Sequence, residues 1–128
     1  MFKSAHELVL EAKRHICECT CDELQERNAS PIWLVIDVRE PEEYAQGHIA
    51  GAINIPRGIL EFKISNEPSL QDLARPIIVY CKTSGRAALS VATLGEMGFK
   101  NVVSLKGGFD SWISDGRPTA QPKNISFE

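Results

Sequence analysis

Two short runs are apolar at every position, Ile32-Trp33-Leu34-Val35-Ile36 and Ile77-Ile78-Val79-Tyr80. A strand with one wet face alternates polar and apolar residues, so runs like these must be covered on both faces. They are rich in β-branched residues and too short for buried helices, and both are flanked by segments with helical spacing. That combination demands a mostly parallel sheet between two layers of helix. A chain of 128 residues has room for one such domain and too little for two.

The remaining elements follow in order. Ser4-Ala5-His6-Glu7 has the form of a capping box, and Ala5, Leu8, Val9 and Ala12 repeat at helical spacing, which predicts a helix to about Arg14. Thr20-Cys21-Asp22-Glu23 is a second such box and opens a helix carrying Leu24. Ile16 to Cys19 is left as an extended segment. Pro41-Glu42-Glu43-Tyr44 starts a short helix that Gly47 stops, and Ala52 to Ile55 forms a further strand. Residues 57–73 read as two small helices split near Pro68. From Arg86 the small residues Ala87, Ala88, Val91 and Ala92 suit a helix lying close on a sheet until Gly98. Asn101 to Leu105 is a strand, and Gly107-Gly108 precede a last helix bearing Phe109, Trp112 and Ile113. The tail from Asp115, with Pro118 and Pro122, is expected to fray. This divides the chain into a helical extension at 1–15, one domain at 16–118 and a tail at 119–128.

A formal charge of −3 offers no basic surface for nucleic acid. The opening segment is broken by charge every few residues, without the apolar centre of a signal peptide, and no run reaches membrane-spanning length. We therefore expect a cytoplasmic protein with no nucleic-acid or membrane partner, and its four cysteines reduced.

One cysteine stands apart. Cys81 directly follows the second apolar run and is followed by Lys82, Thr83, Ser84, Gly85 and Arg86. In an open α/β sheet, ligands bind at the carboxyl ends of strands, where helices begin. If the loop curls around the thiol, its backbone N–H groups and the helix N-terminus both favour negative charge on the sulfur. Lys82 and Arg86 push the same way, and Gly85 permits a tight turn. A space-filling cysteine needs none of this, so Cys81 reads as an activated nucleophile.

Three stretches together resemble the single-domain rhodaneses, which are sulfurtransferases. They are Asp37-Val38-Arg39-Glu40 with Glu43-Tyr44 and Gly47-His48-Ile49-Ala50-Gly51-Ala52-Ile53-Asn54-Ile55-Pro56; the Cys81–Arg86 loop; and Leu105-Lys106-Gly107-Gly108-Phe109 with Trp112, Gly116 and Pro118. The resemblance implies a rhodanese-like α/β domain of three layers, with a mostly parallel, short-stranded sheet. It implies that Cys81 carries sulfur as a persulfide, taken from thiosulfate or a similar small donor and passed to cyanide or a thiol. A protein sulfur-relay partner is compatible with it, and no cofactor or metal is called for. The backbone of Lys82, Thr83, Ser84, Gly85 and Arg86 would cradle the substrate, with Arg86 also bracing the loop and Asp37 and Arg39 holding that brace. Ser84 stands where the commonest loop of such domains, Cys-x-x-Gly-x-Arg, has glycine.

Other residues have plainer explanations. His48 is expected to fix a turn by a hydrogen bond, and Trp112 to pack in the core with Phe109 and Ile113. Cys17, Cys19 and Cys21 are too closely spaced for a zinc site and lack a second pair; Cys17 and Cys19 share one strand face and Cys21 enters a helix. Two other functions compete with sulfur transfer. A cysteine-dependent phosphatase or arsenate reductase has a loop one residue longer than the four between Cys81 and Arg86. A rhodanese-like module that only binds a partner frequently lacks the cysteine.

Overall fold

A computed structural model describes residues 1–122. Its elements run α1 (Ala5–Lys13), β1 (Cys17–Cys19), α2 (Cys21–Arg27), β2 (Leu34–Asp37), α3 (Pro41–Gln46), β3 (His48–Ile49) and β4 (Ile53–Asn54). There follow α4 (Leu60–Asn66), β5 (Ile77–Tyr80), α5 (Gly85–Glu96), β6 (Val102–Leu105), α6 (Gly108–Ser114) and β7 (Thr119–Ala120). Single 3₁₀ turns at Arg57–Ile59 and Pro68–Leu70 flank α4. Five strands form one sheet in the order β1-β6-β5-β2-β4, every neighbouring pair parallel.

The central strand β5 explains the double layer. Ile77, Val79 and Cys81 enter one core with Leu60 and Ile64 of α4 and Val91 and Leu94 of α5. Ile78 and Tyr80 enter the other with Leu24 of α2 and Phe109 and Trp112 of α6. Alternate side chains leave the strand on opposite faces, and each meets a helix layer. The fold class expected from the two apolar runs is the one observed.

Both capping boxes form: the Ser4 and Thr20 hydroxyls accept from the Glu7 and Glu23 amides, and each glutamate accepts from its cap amide in return. Ala87 and Ala88, fully buried, let α5 lie close on the sheet, and the helix ends before Gly98, whose φ is +109°.

Several boundaries differ from the sequence expectation, each for a local reason. Strand β2 begins at Leu34 rather than Ile32, and Ile32 is 64% exposed. Leu34 N–H donates to the Pro76 carbonyl, and Pro76, having no N–H, ends the ladder there. In α1, Leu8 and Leu10 face solvent, and only Val9, Glu11, Ala12 and Lys13 are shielded. Ile113 is likewise exposed.

The expected fraying from Asp115 does not occur through Ala120. Gly116, with φ +69°, turns the chain back after α6. Arg117 pairs with Asp22 and Asp115, Trp112 Nε1 donates to the Pro118 carbonyl at 2.8 Å, and Thr119–Ala120 pairs antiparallel with His48–Ile49. Part of the expected tail, Lys123 to Glu128, lies outside the described residues.

The two helix faces make opposite predictions for leucine. Leu94→Ala, in the middle of a core and 0% exposed, is expected to lower unfolding free energy by about 3 kcal/mol. Leu10→Ala on exposed α1 should change it by less than about 0.5 kcal/mol. Denaturant titrations at equal m-value check both.

Candidate active site

Strand β5 ends at Tyr80, and α5 begins five residues later at Gly85. The residues between turn the chain so that the first turn of α5 faces the Cys81 sulfur. Ala87 N–H approaches Sγ at 3.4 Å, and Cys81 is only 2% exposed. A free helix N–H aimed at a sulfur favours its anionic form and any negative charge that develops on an atom bonded to it. Ser84, at the position where glycine is commonest, takes φ −151° and ψ −15°. No non-glycine residue among those described has positive φ, so the serine is accommodated without left-handed backbone. Lys82 and Thr83 are exposed; Ser84, Gly85 and Arg86 are half-buried.

The loop is held from behind by α6. Phe109 and Asp110 N–H groups donate to the carbonyls of Cys81 and Lys82 at 2.9 and 3.0 Å. With these carbonyls engaged on one side, the loop's amides are left to face the other. The approach is so close that a Cβ on Gly108 would lie 2.2 Å from the Thr83 oxygen and under 3 Å from those of Lys82 and Cys81. Gly108 also has φ +60°, so two requirements select glycine there.

Arg86 turns out to be braced by Glu43 and not by Asp37. Its guanidinium makes a bidentate pair with the Glu43 carboxylate at 2.7 and 3.1 Å. That pairing, aided by the Glu40 amide, holds the Glu43 carboxyl down from 4.5 to about 2. Asp37 instead takes Arg39 through both carboxylate oxygens, and the two are buried. Arg39 also donates to the Gly47 carbonyl and lies 4.3 Å over the Phe109 ring. The Asp37–Arg39 pair therefore ties the end of β2 to the first turn of α6, which in turn holds the loop.

Lys82 does not stand free: its Nζ is 2.9 Å from the Asp110 carboxylate. Both belong to the wall of a cleft of about 850 Å³ shared with Arg39, Glu43, Gly47 and Phe109. His48 stacks on Tyr44 with ring centroids 3.7 Å apart, and its Nδ1 meets the Tyr44 carbonyl at 3.1 Å, which is the turn-fixing role expected. Trp112 is a core residue, as expected.

The other cysteines are placed differently. Cys17 is exposed on the edge strand, while Cys19 and Cys21 are buried. Burial pushes the Cys19 thiol up to about 11 and raises that of Cys21, which leaves both as unreactive thiols near neutral pH.

Four residues of the site carry no role in the sequence reading: Glu43, Gly108, Asp110 and Lys13. Glu43 and Gly108 lie within the stretches that carry the family resemblance, so the signal was there without its meaning. Lys13 and Asp110 had none, because their partners are distant in sequence. Lys13 Nζ donates to Ser84 Oγ at 2.8 Å across 71 positions.

The geometry yields two tests. Gly108→Ala should slow alkylation of Cys81 by at least about tenfold and lower stability by about 2 kcal/mol, since the added methyl displaces the loop carbonyls. Iodoacetamide kinetics with mass detection at Cys81 measure the first, and denaturant titration the second. For Glu43, a carboxyl lowered in the folded state contributes stability that is present above pH 4.5 and is lost as pH falls toward about 2. Glu43→Gln should flatten the decline of the urea midpoint in that window; equal slopes in the two proteins would show that the pair does not hold the loop.

Comparison with known proteins agrees with this layout. Residues 20–115 match the model of the rhodanese-like domain. A protein named sulfurtransferase from Allochromatium vinosum is 31% identical over 70% of this chain and 80% of its own length. Among solved structures, the polysulfide-sulfur transferase homodimer of Wolinella succinogenes superposes with a TM-score of 0.76 at 32% identity, covering 91% of this chain and 87% of that one. A Rhodopseudomonas palustris protein described as of unknown function and a possible tyrosine phosphatase gives a TM-score of 0.84 at 29% identity over 94% and 96%. With the family model spanning four of the five strands of the main sheet, the Cys81 loop and the α6 turn that holds it, the chain belongs to the rhodanese-like domain family.

Proposed function

We propose that this protein is a sulfurtransferase that works through a Cys81 persulfide. The observation that carries this reading is the loop itself: a cysteine at the end of the central parallel strand, with an α5 amide 3.4 Å from its sulfur. The Cys81 thiolate attacks the outer sulfur of thiosulfate, forming an S–S bond as the bond to the sulfonate sulfur breaks and sulfite leaves with that electron pair. The persulfide then gives its outer sulfur to cyanide, forming thiocyanate, or to a thiolate, forming a new persulfide. Either transfer restores the Cys81 thiolate, and no external oxidant is needed. Cys81 is only 2% exposed, which favours a slender donor such as thiosulfate or a short polysulfide. The name of the Wolinella relative points to polysulfide as the similar donor to compare.

A phosphatase is the second reading, prompted by the Rhodopseudomonas relative. Four residues separate Cys81 from Arg86, and the last of them already belongs to α5. A phosphoryl group needs a ring of amides wide enough for three oxygens beside the sulfur. The short loop favours a single outer sulfur atom.

Intact-mass measurement after thiosulfate is expected to show one added sulfur, mapped to Cys81, with an equivalent of sulfite released. Cys81→Ser should abolish both. Replacing Cys17, Cys19 and Cys21 together by serine should leave most of the transfer activity. Persulfide on one of those three in place of Cys81, or hydrolysis of aryl phosphates faster than sulfur transfer, would overturn the proposal.

A further inference from the structure

The charges around the loop are less available than their number suggests. Lys82 is paired with Asp110, Arg86 with Glu43, and Arg39 with Asp37. Each of these cations meets its own carboxylate, so an anion arriving at Cys81 finds little net attraction from any of them. Lys13 differs. Its ammonium is 2.8 Å from the Ser84 hydroxyl, and among the described residues no carboxylate lies within salt-bridge distance of it.

The placement depends on α1, which precedes the part of the chain that matches the family domain. Val9 of α1 lies 3.6 Å from where a Cβ on Gly85 would be, so the helix rests against the first residue of α5. Lys13, one helical turn further on, then reaches back to the residue before it. Ser84 supplies an oxygen that a glycine could not, and accepts the ammonium hydrogen bond on its side chain. The serine and the lysine thus form one unit: the hydroxyl fixes an otherwise mobile four-carbon chain, and half-burial of Lys13 reduces screening of its charge.

We infer that Lys13, carried to the active loop by the N-terminal helix and held there by the Ser84 hydroxyl, is a specificity-determining residue that favours anionic over neutral partners at Cys81. The inference rests on Cys81 as the reacting atom and deepens the reading of the site as one for anionic sulfur donors. It also accounts for the serine at a position where glycine is commonest: glycine at 84 would leave the ammonium without its anchor.

Iodoacetate and iodoacetamide differ little in shape and carry one charge and none, so the ratio of their alkylation rates at Cys81 reads the local field without requiring sulfur transfer. One charge seen through a partly screened interior changes such a ratio by about fivefold. Lys13→Met is expected to lower the iodoacetate-to-iodoacetamide ratio by that factor, and Lys13→Arg to keep it. Ser84→Ala should lower the ratio in the same direction, and adding Lys13→Met to it should lower it little further. A parallel change with both reagents would reduce Lys13 to loop support, and an unchanged ratio would remove it from the site; either result overturns the inference. If Lys13→Met does not fold, the wild-type ratio is followed against ionic strength. A fall with added salt is expected, and a flat response overturns the inference. Failure of thiosulfate to load Cys81 would instead count against the persulfide and leave this ratio to be judged separately.

Discussion

Two backbone hydrogen bonds, from Phe109 and Asp110 N–H to the carbonyls of Cys81 and Lys82, set the orientation on which the site depends. A peptide unit cannot turn its carbonyl one way without turning its amide the other. Once α6 has engaged the carbonyls from behind, the loop's amides are committed to the opposite side. The absence of a side chain at Gly108 makes this possible, because only bare backbone comes this close to three carbonyl oxygens. Everything that fixes α6 therefore also fixes the loop. Arg39 lies over the Phe109 ring, Asp37 holds Arg39, and the Pro118 carbonyl takes the Trp112 indole N–H.

The same arrangement separates Cys81 from the other thiols. Cys19 and Cys21 are buried among apolar side chains, Cys21 as the first residue of α2, and burial is the chief cause that raises both thiols. Cys81 is just as buried, yet its sulfur faces an amide at the start of α5.

Charge near the loop is organised by pairing. Glu43 spans two duties: it accepts from the Glu40 amide at the start of α3 and holds Arg86 in a bidentate grip. Asp110 pairs with Lys82 from the first turn of α6, where a carboxylate is favoured. These pairs shape the loop and consume its cations. Lys13 of α1, held by the Ser84 hydroxyl, meets no carboxylate among the described residues.

Much of this was legible in order along the chain. The apolar runs required a sheet covered on both faces, the two capping boxes marked where α1 and α2 begin, and the cationic, glycine-bearing turn singled out Cys81. Such features are local, since strand burial, helix caps and turn chemistry are decided by residues within one turn or one strand of each other. Partner choice was not legible. Asp37 and Glu43 lie six positions apart on the segment before Arg86, and their places at a strand end and in a helix turn decided that Arg86 pairs with Glu43 and Arg39 with Asp37. The start of β2 was set by a proline 42 positions away, in Pro76 against Leu34, and Thr119–Ala120 was placed by strand pairing with His48–Ile49. The sequence determined the layers and singled out Cys81; only the tertiary structure decided which charges near the loop pair with one another and that Lys13 meets no carboxylate among the described residues, because that depends on distances across the fold that no spacing along the chain encodes.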